Sequence, residues 1–256
     1  MMPAALLALS GMIKIYRIPI SKDQFRQLPK PERSLVLVSG HILNQISVFM
    51  KLVRFSTNKD PPNEIEANVS GMQSQLILRC LLGVLAEACV WLEERQVLIE
   101  SYLPAIHPEG RDAYEKLKPE FDKKALLRLI RHNYLYHYPN DKNVERAFEN
   151  IPDGEPWEWY FSEANTNSFY FSSELVLGYG LIRLTGEPTA LGAFGVVMAK
   201  AMELANTMPD FLMRLIETIM IRYLGQDIFK PLPGVTITDA PVLDEFWVPF
   251  FARTDP

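Results

Sequence analysis

From Glu32 to about Phe55 the apolar residues Leu35, Val38, Ile42, Ile46, Phe49 and Val53 return at every third or fourth position. That is the spacing of one face of an α-helix, so this stretch must bury a stripe against other elements. A second such run begins near Glu64 and continues to about Tyr102, with Leu78, Leu81, Leu82, Leu85, Cys89 and Leu92 on its inner face. Gly71 is a candidate break within it, and Pro104 prevents its extension. Between the two runs, STNKDPPN at 56–63 reads as a loop, because proline restricts its predecessor and Ser, Asn and Asp bond to nearby backbone. Two long amphipathic helices at the start of a chain point to a bundle.

The remaining helices are marked by their punctuation. A short polar helix is expected at about 109–118, ending at Pro119, followed by a helix from about Glu120 to His137 that stops before Pro139. Ser172 or Ser173 can cap a helix through Leu184 that Gly186 ends. Pro188, at a first-turn position, opens another to about Thr207, and Pro209 with Asp210 starts a last one to about Leu224. Alternating isoleucines in MIKIYRIPI, 12–20, suggest a short extended arm or edge strand. The segment IPDGEPWEWYFSEANTNSFYF, 151–171, reads as an ordered aromatic loop with short extended pieces. Its Trp157, Trp159 and Tyr160 are either a ligand platform or anchors for the loop. Beyond Asp227 the prolines make a long helix unfavourable, and the tail is expected to pack as extended chain through Phe246, Trp247, Phe250 and Phe251. The expected architecture is all-α, an up-and-down helical bundle: residues 1–29 form an extended N-terminal arm, 30–226 the helical bundle domain, and 227–256 an extended, proline-rich C-terminal tail.

A chain of 256 residues with 48% hydrophobic content can bury one substantial core. Its formal net charge of -5 argues against a protein that coats DNA through a global positive field. The opening MMPAALLALSGM lacks the basic segment and cleavage site of a secretory signal, and Met12 offers an alternative start. The apolar stretches near 76–92 and 175–199 are interrupted by charges or proline, so a soluble, cytoplasmic protein without membrane contact is expected. Cys80 and Cys89 lie nine apart in one helical segment, point to opposite sides, and fit a reducing compartment.

Chemistry concentrates in LLRLIRHNYLYHYP, 126–139. Arg131 supplies a planar guanidinium suited to bidentate phosphate binding, and His137 a ring that titrates near neutral pH. Together they can stabilise the charge that develops at phosphorus and move the proton of a 2′-hydroxyl, which is enough to cleave RNA without a metal. His132 and Asn133 are candidate supporting groups, Asn133 sharing a face with His137. Arg128, Lys124, Tyr134 and Tyr138 are candidate RNA contacts, the tyrosines by stacking on bases. Tyr136 belongs to the same run. From Lys116 to Arg131 six basic residues stand against Glu120 and Asp122, a local reversal of sign in an acidic chain. Residues six apart on an ideal helix diverge by about 120° and are separated by about 9 Å along it. A shared phosphate therefore requires the last turn to unwind or a second copy to complete the site across a two-fold axis.

The run Arg131-His132-Asn133-Tyr134-Leu135-Tyr136-His137 resembles the hallmark of the HEPN superfamily (higher eukaryotes and prokaryotes nucleotide-binding), an arginine, often followed directly by Asn, Asp or His, with a histidine after four to six intervening residues. The resemblance covers about 14 residues. It implies a helical bundle that acts as a homodimeric, metal-independent endoribonuclease or RNA-binding protein of a toxin–antitoxin or other defence system. Some members only bind a nucleotide or a protein partner, such as an antitoxin, and that is the competing reading. No cofactor and no metal is implied. On the plainer alternative, Arg131 and His132 are solvated or salt-bridged and the tyrosines pack. HExxH, GxSxG and P-loop patterns are absent from the sequence, and Gly178-Tyr179-Gly180 lacks a third glycine. Glu87 reads as part of a polar helical face, and His41 and His107 show no evident partner.

Overall fold

The computed structural model describes residues 13–132, 140–163, 165–238, 240, 242 and 245–252. In chain order these form β1 (Ile13–Arg17), α1 (Lys22–Gln27), α2 (Lys30–Phe55), α3 (Glu64–Glu93), α4 (Gln96–Glu100), α5 (Pro108–Leu117), α6 (Leu126–Ile130), α7 (Asp141–Glu149), α8 (Phe171–Thr185), α9 (Ala190–Leu224) and β2 (Leu232–Ile237). The fold is an all-α bundle. The long helix α9 packs against α2, α3, α5 and α8, and α2 also packs along α3. Their apolar stripes, including Leu35, Ile42 and Ile46 of α2, Leu78, Leu85 and Leu92 of α3, and Phe211, Leu215 and Ile219 of α9, make one continuous core. By length and apolar composition α2 and α3 could each cross a bilayer; here their stripes face one another and α9.

Local chemistry sets the helix ends. Asn63 caps α3 by accepting from the Glu66 N–H at 2.9 Å. In the preceding loop the Asp60 N–H donates to the Asn58 side chain and the Asn58 N–H to Ser70 Oγ. Gly186 ends α8 in the left-handed conformation, φ 75°, where a side chain would be strained. Ser172 is not a cap. It sits inside the first turn of α8, where its hydroxyl donates to the Glu158 carbonyl at 3.0 Å and ties the helix to the aromatic loop.

Three expected boundaries differ. The second long helix ends at Glu93, and a break at Arg95, φ -112° and ψ 12°, starts the short α4; Gly71 does not interrupt α3. The helix expected from Glu120 does not begin there. Asp122 accepts from the Lys124 N–H at 2.8 Å and its carbonyl accepts from the Ala125 N–H, a side-chain-closed turn that delays α6 to Leu126. Conversely Pro209 does not divide α9. Ala205, Met208, Phe211 and Leu212 around it are all buried, so core packing holds one straight-through helix where local chemistry favours a stop.

The N-terminal arm and the tail meet. β1 and β2 pair antiparallel, Ile13 opposite Ile237 and Ile15 opposite Val235. A second, smaller core of Val69, Ile151, Phe169, Phe171, Leu175 and Tyr179, with Phe250 and Phe251 against it, fastens the aromatic loop and tail to the bundle. Phe246 meets Phe55 edge-on, and Trp247 stays substantially exposed.

Candidate functional site

α6 lies against α3, held by buried Leu127 and Ile130. Those two apolar residues fix which way Arg128, between them, and Arg131, just after them, turn. Arg128 pairs with Glu93 and donates to the Phe121 carbonyl at 3.1 Å. Its side chain is only 12% exposed. Arg131 caps α6 and pairs with Glu87, six residues before Glu93 on α3. Here the side chains are 31% and 48% exposed, so water and solutes reach this pair. Glu87 is thus an exposed acid and not a buried one, as its sequence context suggested. The order is antiparallel, 128 with 93 and 131 with 87, as the opposed directions of α6 and α3 require.

Arg131 keeps α dihedrals, φ -51° and ψ -48°, with its N–H still bonded to the Leu127 carbonyl, while Arg131 and His132 together fall in wider, π-type winding. Such turns recur at functional sites in helical proteins. The His132 side chain is exposed. Asn133, Tyr134, Tyr136, His137 and Tyr138 lie outside the described residues. Lys124 is exposed, as are Lys116 and Lys123.

The local positive balance is smaller in space than in sequence. Glu87 and Glu93 answer the two arginines, Lys118 stands 3.7 Å from Glu100 and 3.6 Å from Glu115, and Glu120 is buried against Lys200 at 2.7 Å. Burial opposes the charge on Lys200, but its bonds to Glu120 and Glu203 outweigh that and raise its pKa. Cys89, on the inner side of α3, has its thiol pushed up to about 12 by burial and then by the negative charge of Glu120. It is a packing residue and no nucleophile at neutral pH. His107 also has a neighbour, its Nδ1 lying 3.5 Å from Glu109.

Sequence reasoning missed Glu87 and Glu93 as the counter-ions of Arg131 and Arg128. The signal was present as two carboxylates six apart on one helix and two arginines three apart on another, which antiparallel packing brings together. As an arrangement, Arg128 is a structural cation locked between a carboxylate and a carbonyl. Arg131 is a cation at the surface whose partner an incoming phosphate can replace. Comparison of the chain with protein-family models, with curated proteins and with solved structures finds no match.

Proposed function

We propose that the chain is a HEPN-like, cytoplasmic homodimer that binds single-stranded RNA at the end of α6 and cleaves it without a metal, in a toxin–antitoxin or defence setting. The observation that carries this reading is the solvent-reached Arg131–Glu87 pair at the end of α6, where the winding widens. Arg131 is the phosphate ligand. His137, six residues on, takes the 2′-hydroxyl proton or returns one to the leaving oxygen. Groups six apart on one ideal helix diverge by about 120°, so a second copy across a dyad supplies the groups that complete the site. His132 and Asn133 orient the ring or the substrate, and Lys124, Tyr134 and Tyr138 hold the strand. Arg128 positions α6 through Glu93.

The test is incubation of single-stranded RNA with the protein in excess EDTA. The reading expects cleavage that leaves a 2′,3′-cyclic phosphate and that His137→Ala abolishes with the helical circular-dichroism signal intact. Binding without cleavage by the wild-type protein would select the competing reading, a helical module for a nucleotide or a protein partner. Neither binding nor cleavage would overturn the proposed function.

A further inference from the structure

The aromatic loop contains a surface that the Arg131 region does not explain. The extended segment 157–161 is pinned by the bridge between Tyr160 and Phe169. Alternate side chains of an extended chain point to opposite faces. Tyr160 turns inward, its ring against Phe171 and its hydroxyl accepting from Asn68 and donating to Glu158. Trp157, Trp159 and Phe161 therefore turn outward together. Trp159 is 58% exposed although Phe161 and Tyr170 pack edge-on around it, and Phe148 packs at a tilt against Trp157, ring centroids 5.3 Å apart. The two tryptophans form a ridge between two open clefts. One, about 440 Å³, is floored by Ser172, Ser173 and Val176. The other, about 450 Å³, is walled by Glu64, Ile65 and Glu158. Both volumes fall in the range of ligand-binding clefts, roughly 300–1,000 Å³.

Charge identifies the occupant. Between 141 and 163, seven carboxylates stand against two basic side chains, an excess as large as the net charge of the whole chain, -5. Glu155 and Glu158 are held by tyrosine hydroxyls, from Tyr179 and Tyr160, each at 2.6 Å. Those donors are neutral, so they fix the carboxylates in place and leave their charge uncompensated. Exposed indole faces beside ordered carboxylates attract guanidinium and ammonium groups, whose aliphatic stems also cover apolar surface such as Ile65 and Val176. Phosphates are repelled from the same surface. Trp157 and Trp159 are two residues apart on extended chain, about 6.6 Å, the repeat at which an extended peptide presents every second side chain.

We propose that the Trp157–Trp159 ridge, with Glu64 and Glu158, binds an extended peptide segment of a partner protein that carries basic residues at alternate positions. This surface is independent of Arg131 and of any action on RNA.

The experiment is calorimetric titration of the full chain with a blocked Arg-Ser-Arg-Ser-Arg peptide. Saturable binding is expected, weakened about fivefold or more by Trp157→Ala or Trp159→Ala and largely restored by Trp159→Phe. Combining Glu64→Gln with Glu158→Gln should weaken it comparably and flatten its dependence on salt. Both carboxylates are exposed, so this pair decides the matter alone should an alanine variant lose its helical circular-dichroism signal. Absence of saturable binding overturns the proposal. So does binding that survives the double tryptophan substitution, which would be general attraction to an acidic chain, and so does equal binding of Glu-Ser-Glu-Ser-Glu or oligouridylate.

Discussion

Arg128 and Arg131 are three residues apart on one short helix and answer to different physics. Arg128 is nearly enclosed, its Nε buried without a hydrogen bond among the described residues, and it satisfies both Glu93 and the Phe121 carbonyl. Removing it strands a carboxylate and a carbonyl, so Arg128→Ala should cost about 2 kcal/mol in urea denaturation. Arg131 shares its charge with a half-exposed carboxylate and solvent, and exposed pairs contribute little. Arg131→Ala should cost less than about 1 kcal/mol in the same measurement. Sequence reading placed both arginines at the chemistry-bearing end of the helix and grouped Arg128 with the RNA contacts. It could not separate their roles, because burial is set by α3, whose Glu87 and Glu93 are more than thirty residues away.

Among the elements, α2, α3 up to Glu93 and α8 were legible from their apolar period and end signals, and the short polar α5 from the proline that follows it. Two short helices were not anticipated although each carries a signal. α1 has a reciprocal capping box between Ser21 and Gln24, and α7 has Asn140 accepting from the Asn143 N–H. They are short and polar, so periodicity says little about them. The continuity of α9 through Pro209 was illegible for the opposite reason, since what overrides the proline is burial on neighbouring helices. α9 is also where α5 comes closest. A Cβ built on Gly110 would stand 2.7 Å from the Cβ of Arg214 and 2.7 Å from the Cγ2 of Ile106. Gly110→Ala should wedge α5 from α9 and lower stability by about 1–3 kcal/mol, read as a shift in urea midpoint with the slope unchanged.

At the level of the whole molecule, the bundle and its extended ends were readable from pattern, while the pairing of arm with tail was not, because nothing local links residues more than two hundred positions apart. Burial of acidic groups that stay protonated gives the fold a defined pH response. Cys89, Tyr114 and Tyr179 are each raised to about 12 in the folded chain, chiefly by desolvation, from ordinary values of 9.0 for the thiol and 10.0 for the phenols. The unfolded chain therefore releases these protons at lower pH than the folded chain. The folded state holds more protons between those limits, and stability falls as pH rises through them. The urea midpoint at about pH 10.5 should lie below that at about pH 8.

The proposed function rests on Arg131 as an anion-binding cation that Glu87 holds until RNA displaces it, and the most direct measurement is a binding cycle. Fluorescence anisotropy with a labelled single-stranded RNA would compare the wild-type protein, Arg131→Ala, Glu87→Gln and the two combined. The account predicts binding about tenfold weaker without the arginine, binding at least about threefold tighter without the glutamate, and no gain from Glu87→Gln once Arg131 is gone. Equal affinity across all four proteins, or the same gain from Glu87→Gln with and without Arg131, would contradict it.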